Sequence, residues 1–499
     1  MTMILFPWLC PCLYLSSSRA WHLTLRSKAT TARMMARVDQ MPASRAPTLL
    51  ERSKYVIYWR GEAKSGYTAT FRHWEFVGAL TSVMSARYAG TGAGAAEIEN
   101  AAKAASFTNL FTLNPANPAS ADQVDMYNTA LQVLVFGEGE GGVNVTDEDV
   151  FKATSRCSLI HHTYLWLGEG ATYADLVRDS INSKVLRKAA SNGETWRVRR
   201  YEFSFLNDTD NPRFGKDATR SVAKERKSLP KIWPVLELFK GAVDLKDPVI
   251  HLNLLEGLHE CGPHPSKPEE LKKVLALTLA CGAKHMTISP RTRICKTTTP
   301  LCSISSHLLC NVAMVGSGPS QSILDPFAGS AATLLAAAMI SPEVRTVGID
   351  TGFGLDISRA DIHRDFTTRG LAEPVLIQGD VLDSASRDDA RSANCGAFDV
   401  IMTDPPYLIR ESFTGEQGMG APLLGLLKAM GEDFEQGKPL LKRGGSLVSF
   451  VPCTPGHHID ELLPKQHLQD FAGLQLQTKR EQKINSSLSR WIVAFRAVR

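Results

Sequence analysis

Phe398-Asp399-Val400-Ile401-Met402-Thr403-Asp404-Pro405-Pro406-Tyr407 is the stretch on which the reading of this chain turns. Phe398 to Met402 is a short apolar run rich in β-formers, which predicts a buried strand. Asp404 to Tyr407 then stand at its carboxyl end, where ligands bind in an open α/β sheet. The two prolines fix φ and remove two backbone donors, so the loop is stiff and Asp404 is held in place. The Pro405 carbonyl is left to accept a hydrogen bond, and Tyr407 offers a flat face on which a base stacks.

These residue types suit one chemical task. The exocyclic amine of a nucleobase is a poor nucleophile because its lone pair is delocalised into the ring. Two acceptors, the Asp404 carboxylate and a backbone carbonyl, hold its two hydrogens, draw the nitrogen towards tetrahedral geometry and aim the lone pair at an electrophile. A stacked aromatic ring clamps the base plane. Positioning of this kind lowers a barrier without a strong base. A Pro-Pro turn with Asp404 capping a helix is the less favoured account of the motif when it is taken alone.

A second motif decides between them. Ser322-Ile323-Leu324-Asp325-Pro326-Phe327-Ala328-Gly329-Ser330 reads as a strand entering a tight turn, and Ala331 to Ile340 as a nearly continuous apolar helix. Gly329 permits close approach of a ligand, the helix N-terminus adds a positive dipole end, and Asp325 suits an ammonium group. No lysine follows, so this is not a triphosphate loop; it suits the methionine end of S-adenosylmethionine. Arg345 to Ile349 predicts a strand ending in Asp350, about 20 residues past the glycine and placed for ribose hydroxyls. Asp356 also lies in range of them. Val375 to Gln378 predicts a third strand, ending in Gly379-Asp380, where a carboxylate reaches the adenine amine. Three acidic strand ends in order, followed by Asp-Pro-Pro-Tyr, favour a methyl-transfer site over a structural turn.

Asp325-Pro326-Phe327-Ala328-Gly329-Ser330 and Asp404-Pro405-Pro406-Tyr407-Leu408-Ile409-Arg410-Glu411 resemble the binding and catalytic motifs of amino-group methyltransferases. Through the trailing Arg410-Glu411 the chain is similar to the tRNA guanosine-N2 methyltransferase family that acts at position 10 of tRNA. That family carries Gly where this chain has Leu408. The resemblance implies S-adenosylmethionine as donor, held by Asp325, Pro326, Phe327, Gly329, Asp350 and Asp380. It implies a catalytic corner of Asp404, Pro405, Pro406 and Tyr407. It also implies tRNA as partner, together with a small zinc-binding activator subunit that covers apolar surface on the catalytic domain. Phe239 to Pro248 resembles the end of that family's THUMP domain, an α+β RNA-binding module, and Trp166 to Gly170 with Tyr173 resembles an earlier stretch of the same half. Thr297-Thr298-Thr299-Pro300 stands where the family has a Thr-Thr-Ser segment. Two rivals remain: another nucleic-acid amino methyltransferase, acting on rRNA guanine, a different tRNA guanosine or DNA adenine, and a non-catalytic tRNA-binding subunit.

The rest of the sequence fits that frame. Its 499 residues, 43% apolar and 21% charged, suffice for two to three ordinary domains. A net charge of +5 permits nucleic-acid binding. Ten cysteines without a Cys-x-x-Cys pair are neither a disulfide framework nor a metal site, and suggest reduced thiols inside a cell. Met3 to Leu15 is too short to span a bilayer, and Ser16 to Arg37 carries Ser, Thr and Arg but no acid. Either residues 1–50 are a transit peptide or disordered extension, or translation starts at Met34, Met35 or Met41. The corresponding expectations are a cytoplasmic protein or, with a genuine transit peptide, an organellar one, with no membrane association.

Residues 51–258 are expected to form an α+β, THUMP-type RNA-binding region, and 259–499 a doubly wound, seven-stranded, Rossmann-like methyltransferase domain with an antiparallel edge. Strands are expected at Tyr55–Trp59, Leu131–Phe136, Leu159–Leu167 and Trp196–Phe203, and helices at Phe71–Leu80 and Tyr173–Asn182. Gly92 to Ala105 reads as a surface insertion or weak helix. Arg156 reads as a solvated surface arginine, and His161-His162 as packing residues. Arg220 to Lys227 suits a helix whose cationic face contacts phosphates. Cys261 to Pro268 marks the domain boundary, with helices expected at Glu269–Cys281, Ile304–Val315, Ala421–Met430 and Pro464–Phe471. The strand Ser446–Val451 and a closing hairpin of Leu474–Gln477 and Trp491–Phe495 complete the sheet.

Overall fold

A computed structural model describes residues 55–60, 69–109, 131–137, 142–202, 227–258, 272–407, 419–453, 458–463, 473–484 and 488–498. The expectations for the N-terminal extension, Cys261–Pro268, Pro464–Phe471, Leu408–Glu411 and most of Arg220–Lys227 lie outside these residues.

Two seven-stranded sheets form the frame. The first contains β1 (Tyr55–Trp59), β2 (Ala105–Asn109), β3 (Leu131–Phe136), β4 (Ile160–Gly170), β5 (Trp196–Glu202), β6 (Ile250–Leu258) and β7 (Lys272–Cys281), in the order β2-β3-β1-β4-β7-β6-β5. All its neighbours run antiparallel except the parallel pair β5 and β6. Helices Arg72–Arg87, Asp147–Arg156, Tyr173–Ile181 and Lys184–Ser191 accompany it. The helix at Asp147 begins in a reciprocal cap: Thr146 Oγ1 accepts from Asp149 N at 3.2 Å, and Asp149 accepts from Thr146 N at 2.8 Å. The segment read as an insertion or weak helix holds the helix Ala95–Lys103.

β7 is a correction. The sequence pattern predicts a helix over Glu269 to Cys281, yet Lys272–Cys281 is a strand paired with β4 on one side and β6 on the other. A strand between two partners with both faces covered is apolar nearly throughout, and such a run cannot be told from a buried helix by periodicity. The first sheet therefore extends to Cys281, past the boundary expected at residue 259.

The second sheet contains β8 (Ser322–Asp325), β9 (Arg345–Asp350), β10 (Val375–Gln378), β11 (Phe398–Thr403), β12 (Leu441–Cys453), β13 (Leu474–Lys483) and β14 (Ser489–Ala497). Its order is β10-β9-β8-β11-β12-β14-β13. β8 to β12 are parallel, and helices follow β8, β9 and β10 at Ala332–Ile340, Arg359–Thr367 and Ser384–Asn394. The reversed strand, expected at the edge, lies one place in. β14 is antiparallel to both β12 and β13, so its hairpin partner forms the border.

The sheets share a core. Phe76, Leu80 and Met84 from the helix Arg72–Arg87 belong to one buried cluster with Leu308, Leu309 and Val312 from the helix Ser303–Val312, and with Ile323, Leu334 and Phe450 of the second sheet's layer. These two helices touch closely: a Cβ at Gly78 would stand 2.4 Å from the carbonyl oxygen of Asn311. Arg156 lies in this junction rather than in solvent. Its guanidinium donates to Asn311 Oδ1 at 2.8 Å, to Ser82 Oγ at 2.9 Å and to the Val315 carbonyl. Residues 82 and 311 come from different layers, so the arginine bridges them, which no local pattern announces.

Candidate functional site

Of the acidic residues read from the sequence, all but Asp356 fall at the carboxyl ends of parallel strands. Asp325 ends β8, Asp350 ends β9, Gly379-Asp380 follow β10, and Asp404 to Tyr407 follow β11. Backbone contacts hold these ends together. Ala328 N donates to the Ile349 carbonyl at 3.0 Å, and Gly379 N to the Asp350 carbonyl at 3.3 Å.

The loop after β8 needs its glycine. Gly329 has φ +50°, a conformation that L side chains rarely adopt, and nothing lies within 4 Å of where a Cβ would stand. Backbone and open space therefore meet at this point. Gly329 N donates to Asp350 Oδ2 at 2.8 Å, and Gly352 N to Asp350 Oδ1 at 2.8 Å. Asp350 is half-buried, and each of its oxygens keeps a second lone pair for a hydroxyl. Asp356 stands exposed on the following loop. Asp380 is half-buried and accepts from Leu382 N at 2.9 Å. Pro326 is buried beneath the loop, and Phe327 is partly covered, packed against the apolar cluster that contains Leu324.

Asp325 departs from its expected role. Its side chain is buried, with Oδ1 accepting from Thr403 Oγ1 at 2.7 Å and Phe327 N at 3.1 Å, and Oδ2 accepting from Thr333 Oγ1. Burial pushes its pKa up to about 7 against the opposing pull of the Thr333 and Thr403 hydroxyls. A carboxylate so enclosed does not face a ligand's ammonium group. It ties β8, β11 and the helix Ala332–Ile340 together under the loop. Neither threonine partner carried a signal in the sequence.

The corner after β11 is tied by side-chain hydrogen bonds. Pro405 is buried, while Asp404, Pro406 and Tyr407 are partly exposed. The Tyr407 hydroxyl donates to Asp404 Oδ1 at 2.8 Å and accepts from Arg490 Nη1 at 2.9 Å. Burial first, and Asp404 after it, push the Tyr407 hydroxyl pKa well above its usual value, with Arg490 working the other way. Sequence reasoning misses Arg490. Its one local signal is a charge at a buried position beside an otherwise apolar run, Trp491-Ile492-Val493-Ala494-Phe495. Burial works against its charge, but the Tyr407 hydroxyl and the Asp404 carboxylate outweigh it and keep the guanidinium protonated.

No protein-family model and no curated protein matches this sequence. Among solved structures, the chain is similar to an rRNA methylase from Streptococcus thermophilus at 10% identity and TM-score 0.26, covering 36% of this chain and 89% of that one. It is also similar to a 16S rRNA adenine-N1 methyltransferase from Catenulisporales acidiphilia at 15% identity and TM-score 0.26, covering 36% and 87%. A third likeness, to a Pyrococcus horikoshii protein described as a transferase, has 12% identity and TM-score 0.23; it covers 36% of this chain and 58% of that one, little more than half its length.

Proposed function

We propose that this chain is an S-adenosylmethionine-dependent methyltransferase that modifies the N2 amine of a guanosine in tRNA, at position 10. The observation that carries the reading is the Asp404-Pro405-Pro406-Tyr407 corner. It stands at the carboxyl end of β11, two strands from the Asp350 end of β9, with the open Gly329 loop on the strand between them.

The residues fit the donor. Open space above Gly329 suits its methionine end, Asp350 the ribose hydroxyls, and Asp380 the adenine amine. Asp350 is better suited than Asp356, because Asp350 is fixed to the glycine loop by a hydrogen bond. The donor supplies an electrophilic methyl on a sulfonium. Asp404 and the Pro405 carbonyl hold the two hydrogens of the amine, and Tyr407 supports the base plane. Held in this way, the nitrogen lone pair would face the methyl group that the bound donor supplies, and the proton lost from the amine would pass to Asp404 or to water.

RNA engagement is assigned to the first sheet, as a THUMP-type region. Arg199 and Tyr201 are partly exposed on one face of β5, a basic and an aromatic side chain that suit RNA, whereas Arg197 beside them is buried and donates to the Leu245 carbonyl at 2.8 Å. A small zinc-binding activator subunit is proposed as partner. The border strand β10 leaves Val375 41% exposed, and the nearby loop leaves Leu355 74% exposed, which is apolar surface available for cover. Among the described residues no helix is long and apolar enough to cross a membrane. A cytoplasmic site of action is proposed, with an organellar one as the alternative if residues 1–50 are a transit peptide.

The test is methyl transfer from labelled donor to unmodified tRNA, rRNA and DNA, with and without the activator, followed by mapping of the product nucleoside. N2-methylguanosine at tRNA position 10 is expected. Asp404→Ala is expected to lower kcat roughly 100-fold or more while donor binding persists. Label in rRNA or DNA alone would replace the substrate assignment. A wild-type protein that binds tRNA yet transfers nothing even with its activator would instead leave the reading of a non-catalytic subunit.

A further inference from the structure

We propose that Arg490 is a positioning residue for methyl transfer, one that fixes Asp404 through the Tyr407 hydroxyl without occupying the carboxylate itself. The proposal rests on the reading of the Asp404 corner given above. Arg490 lies on β14, a strand that carries none of the motifs, and its residue is only 7% exposed. Its donors go to three separate elements. Nε donates to Gln482 Oε1 on β13 at 2.7 Å, Nη1 to Tyr407 OH at 2.9 Å, and Nη2 to Ser305 Oγ in the helix Ser303–Val312 at 2.6 Å. The guanidinium carbon also sits 3.8 Å from the ring centroid of Phe450 on β12.

The molecule holds its own comparison. Arg387 is buried as deeply and meets Asp433 in a two-pronged pair, Nε to Oδ2 at 2.7 Å and Nη2 to Oδ1 at 2.9 Å. That geometry engages both carboxylate oxygens, and Arg391 Nη1 adds a further donor to Oδ2 at 2.7 Å, which suits a purely structural bridge. Arg490 stops 4.0 Å short of Asp404 Oδ1, with the Tyr407 hydroxyl carrying the hydrogen bond across the gap. Asp404 thus feels the positive charge and is oriented by the tyrosine, while the arginine makes no direct hydrogen bond to it. The arginine thereby orients the carboxylate through the tyrosine and adds no direct donor of its own to it. The same contact anchors the hydroxyl end of Tyr407 and so sets the tilt of the ring offered to the base. A lysine carries the charge but lacks the planar fork that reaches Gln482, Tyr407 and Ser305 together.

The experiment compares wild type, Arg490→Lys, Tyr407→Phe and the double variant, in full-length protein with the activator present. Each is measured for kcat, KM for tRNA, donor Kd by calorimetry and thermal midpoint. Arg490→Lys is expected to lower kcat about 10-fold or more while donor Kd stays within about 2-fold, and the double variant to be no slower than the worse single one, because both break the same relay. A kcat for Arg490→Lys within about 3-fold of wild type, or losses that multiply in the double variant, would overturn the proposal and leave the methyltransferase reading intact. The proposal also falls if Arg490→Lys loses donor binding and thermal midpoint in step with kcat, since that is the signature of a residue that only supports the fold. A wild-type protein that transfers no methyl group to tRNA, rRNA or DNA would overturn both readings.

Discussion

Asp325 shows how a single enclosed carboxylate links the site to pH. It is 1% exposed, and its pKa is pushed up to about 7, by burial above all. The folded state therefore binds this proton more tightly than the unfolded chain does. The resulting contribution to stability is fully present below the ordinary aspartate pKa of about 4, and is lost as pH rises through about 7. Asp325→Asn keeps acceptor and donor capacity for Thr333, Thr403 and the Phe327 amide but carries no titrating proton. Urea unfolding at pH 5 and pH 8 should find wild type gaining on the variant at the lower pH, with the gap changing by a few kcal/mol (order of magnitude). A gap independent of pH would show that Asp325 is not the group that titrates. Donor binding should change little, because this carboxylate lies under the loop and not in the cleft.

The helix Arg72–Arg87 does at the level of elements what Asp325 does within the loop. Its Glu75 is fully buried and accepts from Ser158 N and Ser158 Oγ, both at 2.7 Å, from Leu159 N at 2.9 Å and from Asn311 Nδ2 at 3.1 Å. One carboxylate thus satisfies the start of β4 and the helix Ser303–Val312 together. Glu75→Ala should cost about 3 kcal/mol or more in urea unfolding, because it strands several buried donors at once. A loss below about 1 kcal/mol would mean that water replaces the carboxylate. Neither Glu75 nor Arg156 could be read as such from the sequence: their partners lie 83 and 155 residues away, and only the folded junction brings them near. The strands were legible for the opposite reason. Tyr55–Trp59, Leu131–Phe136 and Val375–Gln378 have the expected bounds, because each is a short β-forming run with its punctuation beside it. β7 was not legible in this way, since Val274-Leu275-Ala276-Leu277 satisfies a buried helix and a central strand equally. The place of β14 was hidden as well, because a hairpin's local pattern does not say which of its arms pairs with the sheet. Of the site, the acidic strand ends were legible as motif residues, whereas Arg490, 83 residues from Tyr407, was not.

At the scale of the molecule, the two sheets are joined by one core and not by a tether. Leu308, Leu309 and Val312 of the helix before β8 are buried in the same cluster as Phe76, Leu80 and Met84 of the helix that accompanies the first sheet. Separating the sheets would return these side chains to water, at roughly 1.5–3 kcal/mol for each large one. Even a few such losses approach the whole stability of an ordinary domain, about 5–15 kcal/mol. It would also strand Glu75 and Arg156, whose hydrogen bonds cross the junction to Asn311. A fragment of residues 283–499, although it holds every residue of the candidate site, should therefore lack a cooperative unfolding transition and bind the donor weakly or not at all. Co-expression with residues 51–282 should restore both, because the missing surface is supplied in trans. Calorimetry of the fragment alone decides the matter: a sharp, reversible melt within about 5 °C of the intact chain would show that the second sheet stands by itself and that the shared core contributes little.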